Sequence, residues 1–447
     1  MKNLKSSISA FLEDSDNLDL AQLYSLKGWV RSIQKFNSIG FVSLNDGSNL
    51  SGIQLVSSPE LIQEKDLALG DAIQVVGYLK KSRGKEQEWE FKVEQLEVLK
   101  KSDKDFPIIP TKLSLDFLRT QQLVRHRTSI FQAVSIIRKE LVQSIHTFLY
   151  ENHFFPCFAP ILSTNSCEGG AELFKLDSDG ADFFKKDEIL LSVSGQFYCE
   201  TISNGLGRSY SFGPTFRSEK SNSSAHLAEF WMIELEMAFT NLLQLIELVY
   251  NFFIYLIKKV LHNCKDCLEE LSNKLLGDRQ LLIEKLEGIA SSKYITLSYS
   301  EAIEILSQTK DISWGYEISK EDENFLLSKL NTKILFVTNY PSSQKPFYMK
   351  MSEDKKITYS FDMLVSEVGE LAGGSEREDS LEILNQKIKE QGLNPKELEW
   401  YLSLRKFGYA SSAGMGMGFE RLLMFVTGLK NIKDSSVFPR SYSQLSI

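Results

Sequence analysis

The chain has 447 residues, 43% of them apolar, and a formal net charge of −8. That length and apolar content support two or three domains with sizeable cores, and the acidic balance excludes a protein that coats nucleic acid through a general basic excess. No run of about 18 uncharged apolar residues occurs, so no membrane-spanning helix is expected; the N-terminal lysines lead into no apolar core before Glu13 and Asp14, so no signal or transit peptide is expected and the chain reads as cytoplasmic.

The first hundred or so residues alternate as short strands do. "LKGWVRSI", "GFVSLNDGS", "SGIQLVSS", "DAIQVVGYLKKS" and "EWEFKVEQLEVL" each run a few residues between turn signals such as Asp46-Gly47. Five strands in that length point to a small closed barrel of the OB type, with another small β domain as the alternative. "KKSDKDFPIIPTKLS", with its charges, Pro107 and Pro110, reads as a linker. The boundaries expected are a barrel over 1–105, a linker over 106–120 and a second domain over 121–447.

The period then changes. Ile130, Val134, Ile137, Leu141, Ile145 and Phe148 form one apolar stripe at helical spacing. "FFPCFAPIL" follows as a strand whose Pro156 and Pro160 confine it to an edge or an interface. A helical insertion is expected around 242–292. Strands are expected near 334–339, 346–351 and 357–371, a helix near 377–392, and a Gly-rich strand running into a helix over 414–428.

The five cysteines are few and scattered, as in a reduced compartment. Cys264 and Cys267 form one CxxC with His262 nearby, but no second CxxC or HxxxH completes a four-ligand zinc site, so a structural role is expected.

Two stretches carry chemistry. "GMGMGFERLLMF" places Gly414, Gly416 and Gly418 at alternate positions. That is not the GxGxxG spacing, and no GxxxxGK[ST] occurs, so a P-loop is excluded. Glycines two apart clear one face of a strand, either for close packing or for a planar ligand, and Arg421 in the following helix is able to stack on a base. In "GPTFRSEKSNSSAHLAEFWMIELEMAF", two strands around a polar turn would carry Arg217 on one side and Phe230 on the other. Arg217 suits a phosphate. Phe230 suits the underside of an adenine, with Arg421 above. Glu219 and His226 flank the turn, and a protonated His226 would reach outer phosphates. Singly, each residue has a plain alternative: a surface salt bridge for Arg217 and Glu219, a core ring for Phe230.

Together, in this order, the two stretches resemble motifs 2 and 3 of the class II aminoacyl-tRNA synthetases. The helix with "FFPCFAPIL" resembles motif 1. "SFDMLVSEVGELAGGSERE" and "VFPR" resemble the aspartyl/asparaginyl subgroup, and "HLAEFWMIE" with "VGELAGGSERE" is similar to asparaginyl-tRNA synthetases. The resemblance runs from about residue 24 to 440. It implies an α+β chain: an N-terminal OB-fold anticodon-binding barrel followed by a catalytic domain with an antiparallel sheet and flanking helices. It implies a homodimer made partly through motif 1, with ATP, L-asparagine and tRNA(Asn) as substrates and Mg2+ as cofactor.

The resemblance also implies roles. Arg217 holds the α-phosphate, Phe230 and Arg421 sandwich adenine, and Glu219 and His226 complete the ATP site. Asp362 and Glu370, two hard-oxygen carboxylates, suit Mg2+ beside a triphosphate; for Asp362 a salt bridge is the alternative. Glu168, Gln196, Glu234 and Arg377 are expected in the amino-acid pocket. Aspartyl enzymes carry a lysine where Cys199 stands, and a buried site without that cation favours an amide over a carboxylate. In the barrel, Phe41 and Gln54 match positions that stack on and hydrogen-bond an anticodon base, with Arg31 nearby; for Phe41 a place in the barrel core is the alternative. The chain departs from the asparaginyl pattern at Lys220, at Ala225 (an Arg in the family) and at Ser411-Ser412 (a Pro-His). A non-discriminating aspartyl-tRNA synthetase and a non-catalytic paralogue are the other readings.

Overall fold

A computed structural model describes residues 7–82, 84, 87–109, 113–164, 172–186 and 188–445. The chain divides into two compact units between Ile136 and Ile137.

The first unit is built on strands β1 (Tyr24–Lys35), β2 (Gly40–Asn45), β3 (Ile53–Ser57), β4 (Ala72–Lys81) and β5 (Trp89–Lys100). They close in the order β1-β2-β3-β5-β4, antiparallel except for the parallel pair β3–β5. The period-2 alternation read from the sequence is the burial pattern. Val42, Leu44, Leu55, Ile73, Val75 and Phe91 point inward and are fully buried. Closure leaves no long free edge.

The second unit is organised by an eight-stranded sheet. Its strands are β6 (Phe155–Pro156), β9 (Arg208–Phe216), β10 (Glu229–Ala238), β11 (Ile295–Ser298), β12 (Ile334–Thr338), β13 (Ser360–Val365), β14 (Gly369–Glu376) and β15 (Ser412–Gly418), and β7 (Leu162–Ser163) and β8 (Leu190–Leu191) pair separately. The order is β11-β12-β13-β14-β15-β10-β9-β6. The run from β12 to β9 is antiparallel; the outermost pairs, β11–β12 and β6–β9, are parallel. The long helix is Ser129–Glu151. The helical insertion consists of Leu242–Asn263, Lys265–Leu276 and Leu281–Ala290. Among the described residues, no helix is long and apolar enough to cross a membrane.

Three elements differ from the sequence reading. "FFPCFAPIL" is not one strand: Phe155 and Pro156 pair in the large sheet, and Leu162 begins the separate strand β7; a proline cannot extend the ladder. Residues 346–351 form isolated bridges at Met349 and Met351 rather than a strand. The single strand expected over 357–371 is the β13–β14 hairpin, turned by Glu367 and Gly369 at φ +71° and +81°. Cys264 and Cys267 sit at the start of a helix, where burial pushes both thiols up to about 12; they are neutral packing groups.

Candidate active site

Strands β10 and β15 form the floor. Met232 pairs with Gly418, Glu234 with Gly416 and Glu236 with Gly414, so the three glycines strip one face of β15. A Cβ at Gly414 would lie 2.2 Å from the Glu236 carboxylate, so the bare strand is what admits that acid. Glu236 meets Arg377 of the segment after β14 in a two-point contact: Arg377 Nε donates to Oε2 at 3.1 Å and Nη2 donates to Oε1. Arg377 Nη1 donates to Ser375 Oγ at 2.7 Å. Both side chains are buried. Burial raises the Glu236 carboxyl and Arg377 draws it back down. Burial also works against the charge on Arg377, and Glu236 more than offsets it. The fork geometry is that of an ionised pair.

Beside the pair, Glu234 accepts from Gly195 N at 2.8 Å and from Ser194 Oγ. Ser194 Oγ in turn accepts from Gln196 N at 3.0 Å. These contacts gather at the start of the helix Gln196–Leu206, whose free N–H groups favour an acidic neighbour. Among the described residues, the side-chain nitrogen of Gln196 is buried and meets no hydrogen-bond partner, a donor that a ligand would satisfy. Cys199, one turn on, is fully buried. Its thiol meets that of Cys157, and that contact together with burial holds it well above the ordinary thiol range, hence neutral. Glu200 is fully buried and receives Arg405 at 2.6 Å, Tyr401 OH at 3.0 Å and Tyr409 OH at 2.5 Å. Glu168 lies outside the described residues.

On the other side of Glu234, the β9–β10 hairpin and β15 open a cavity of about 190 Å³ lined by Arg217, Glu219, Ala225, His226, Phe230, Glu370 and Arg421 among others. Arg217 N donates to Ala228 O at 3.0 Å, continuing the hairpin. This brings the Arg217 guanidinium to 5.6 Å from the Phe230 ring centre. Arg421 Nη1 donates to the Glu370 carbonyl at 2.8 Å. His226 contacts Ser223 Oγ at 2.5 Å and Ser221 Oγ at 3.2 Å, with Glu219 at 3.9 Å.

Acids crowd this cavity. A Cβ at Gly373 would lie 3.2 Å from Glu370 Oε1 and 3.4 Å from Asp362 Oδ1, so the two carboxylates converge above that glycine. Lys345 Nζ donates to both Asp362 oxygens, at 2.9 and 2.8 Å. Burial by the surrounding protein, then the Asp362 charge, raise the Glu370 carboxyl, although the side chain keeps solvent access through the cavity. Glu323, on the helix Lys320–Lys329, accepts from Glu370 N at 3.1 Å, and burial followed by Glu370 pushes its carboxyl up to about 7. The turn before Glu370 is clamped through Glu367 by Lys430 at 2.7 Å and by Lys285 of the helical insertion at 3.1 Å.

The sequence reading missed Glu236, Glu323, Lys345 and the Glu200–Arg405 pair. Glu236 left a signal, the alternation Glu234-Leu235-Glu236 inside an apolar strand. The others arrive from elements far apart in sequence and left none.

In the barrel unit, Phe41 and Gln54 lie on one outer face: Phe41 pairs with Val56, and Ser43 with Gln54. Phe41 points away from the core that Val42 and Leu44 fill. Arg31 donates to the Arg127 carbonyl, and burial, aided by Arg127, lowers it to about 10. It is tied to its own unit rather than extended from the Phe41 face.

The model of tRNA synthetases class II (D, K and N) matches residues 114–442, and that of the OB-fold nucleic acid binding domain matches residues 24–99. The chain is 40% identical over 437 residues to the asparagine--tRNA ligase of Malacoplasma penetrans, covering 94% of this chain and 95% of that one. This chain belongs to the asparagine--tRNA ligase family of class II synthetases. The Mycoplasmopsis pulmonis ligase is 38% identical over 454 residues, covering 99% of this chain and all of its relative. The structure of the Pyrococcus horikoshii asparaginyl-tRNA synthetase complexed with asparaginyl-adenylate matches with a TM-score of 0.85 and 31% identity, over 95% of this chain and 96% of that one.

Within this ligase fold, two departures have definite surroundings. Ala225 lines the cavity wall, near His226 and Leu227. Ser412 is fully buried, its hydroxyl 2.6 Å from Tyr409 OH, which links it to Glu200 and Arg405.

Proposed function

We propose that this chain joins L-asparagine to tRNA(Asn) at the expense of ATP. The asparagine carboxylate attacks the α-phosphorus, pyrophosphate leaves, and the terminal ribose hydroxyl of tRNA then takes the asparaginyl group from AMP. Such chemistry needs in-line positioning and charge stabilisation rather than a side-chain nucleophile. In this reading Arg217 grips the α-phosphate, Phe230 and Arg421 enclose adenine, and Glu219 and His226 border the outer phosphates. Glu234, with Glu168, receives the α-ammonium group.

The observation that carries asparagine over aspartate is the neutral floor. The Arg377 charge is already matched by Glu236, and the neutral Cys199 thiol stands where an aspartate-binding cation would. A second carboxylate would enter such a site uncompensated. An amide offers a carbonyl oxygen to Arg377 and an NH2 group to Glu236, and Gln196 borders the same space.

Mg2+ fits the acids present, which are hard oxygen donors. Glu370 and Asp362 repel one another, and among the described residues no three such side chains form a complete metal site, so remaining ligands would come from phosphate and water. Glu370, with Asp362, would hold the ion, which when bound would neutralise phosphate charge.

The barrel, within 1–105, is assigned to the anticodon, 106–120 to a linker and 121–447 to catalysis. A second copy of the chain is the partner assigned to motif 1. Tyr150, Phe155 and Phe158 are 81%, 48% and 93% exposed there, an apolar cost that self-association would remove. The enzyme is placed in the cytoplasm.

Pyrophosphate exchange with asparagine and with aspartate, each with and without tRNA, tests the reading. Exchange with asparagine alone is expected. Equal exchange with aspartate would overturn the specificity, and none from a folded protein would leave a non-catalytic paralogue.

A further inference from the structure

The outer face of β1, β2 and β3 sets Ser32, Gln34, Ser43 and Gln54 beside Phe41 and Val56. Gln34 pairs with Phe41, and Ser43 lies between Ser32 and Gln54. The inward side chains of the same strands, Val42, Leu44 and Leu55, are fully buried. The face therefore combines hydrogen-bonding groups with Phe41, the composition that suits splayed single-stranded bases.

Phe36 stands at the edge of this face, in the turn from β1 to β2, where its N–H donates to Ile39 O at 2.9 Å. Its ring is 57% exposed, whereas Phe11 and Phe91 of the same unit are in the core. It packs on Phe41 with ring centres 5.9 Å apart and planes at 76°. Nearly perpendicular rings cannot both lie flat on one base. Each offers its face to a different one, and the edge-to-face contact holds both rings in place. The neighbouring Lys35 is exposed, a charge for the connecting phosphate.

We propose that Phe36 is a second stacking platform for single-stranded RNA, taking the base adjacent to the one on Phe41. This rests on the barrel being the anticodon-binding unit. Stacking is tolerant of base identity because every base has a π-face, so Phe36 adds affinity and orders the strand, while Gln54 and its polar neighbours read the base.

The test measures binding of an anticodon stem-loop RNA to the full chain, with 2-aminopurine placed at each anticodon position in turn. Phe36→Ala is expected to bind about tenfold more weakly and to release the stacking quench at one position; Phe41→Ala should release it at the neighbouring position. Phe36→Trp should keep parent affinity and show its own emission quenched by RNA, whereas Phe36→Leu should behave as Phe36→Ala. Parent affinity in Phe36→Ala or Phe36→Leu, with Phe41→Ala weakened, overturns the second platform and leaves the anticodon assignment intact. Parent affinity in Phe41→Ala as well removes the anticodon assignment itself. Thermal unfolding of each variant at the parent midpoint verifies folding, which an exposed turn residue should not disturb.

Discussion

The two halves of the candidate active site meet at β10 and differ in how far their carboxylates are offset by cations. On the side assigned to the amino acid, Glu236 and Glu200 are paired with Arg377 and Arg405, and Glu234 is held by hydrogen bonds from Ser194 and Gly195. On the side assigned to the nucleotide, Glu370 lines an open cavity and is repelled by Asp362 and Glu323, of which Asp362 is met by Lys345. A preformed, hydrogen-bonded pocket selects a small ligand through hydrogen bonds it would otherwise leave unmade. An acidic cluster only partly offset by Lys345, Arg421 and Arg217 suits a ligand that brings its own charges, in the proposed reading a triphosphate with a cation.

The largest effects should come from removing a group assigned to the nucleotide alone. Arg217→Ala is expected to lower asparagine-dependent pyrophosphate exchange by about a thousandfold, the upper range for one stabilising donor, with little change in unfolding midpoint. Substantial retained exchange would remove Arg217 from its assigned role. The paired side should answer in stability instead. Glu236→Gln, which leaves Arg377 buried and uncompensated, is expected to cost about 3–5 kcal/mol in denaturant unfolding. The double replacement Glu236→Leu with Arg377→Met should recover much of that stability while asparagine-dependent exchange stays lost. If the double variant retains exchange, the pair is structural and the comparison between the two halves fails.

How much of this was legible in the sequence depends on the range of the forces involved. The barrel was, because closure and burial impose period 2 on every strand. The nearness of Arg217 to Phe230 was, because one hairpin carries both. The β15 glycines signalled a bare face, but the acid that fills it, Glu236, appeared only when the register of β10 was known. Glu323 and Lys345 were not legible: each reaches the acids from an element with no local pattern tying it to them. The turn at Glu367 and Gly369 split one apparent strand into two through positive φ values that the residue types only permit.

A smaller effect belongs to the packing behind the amino-acid side. Lys387 is 3% exposed on the helix Leu381–Glu390, beside Leu384 and Ile388, and donates to Met349 O at 2.7 Å. Burial lowers its ammonium to about 8. The unfolded chain then binds more protons between pH 8 and the ordinary lysine value near 10.4, so this group makes stability rise with pH across that window. Lys387→Met should gain on the order of 3 kcal/mol at pH 7 and flatten the dependence of unfolding free energy on pH above 8. An unchanged slope would show that the ammonium is solvated in the native state.

The smallest effect expected sits at the cavity rim. Ala225 lines the cavity assigned to the nucleotide, and the loop around it is held by the Ser223–His226 contact at 2.5 Å and by Ile432 N donating to Ser224 O at 2.8 Å. Ala225→Arg therefore adds a cation to an already ordered rim. A solvent-exposed charge pair is worth up to about 1 kcal/mol, so the KM for ATP should fall about fivefold, and the gain should fade as salt is raised. The KM for asparagine should stay put, because the paired side offers the new charge nothing to act on. Equal shifts in both constants would mean that the two halves are electrostatically coupled across β10, and that the neutral floor is set by the whole site rather than by Glu236 and Arg377.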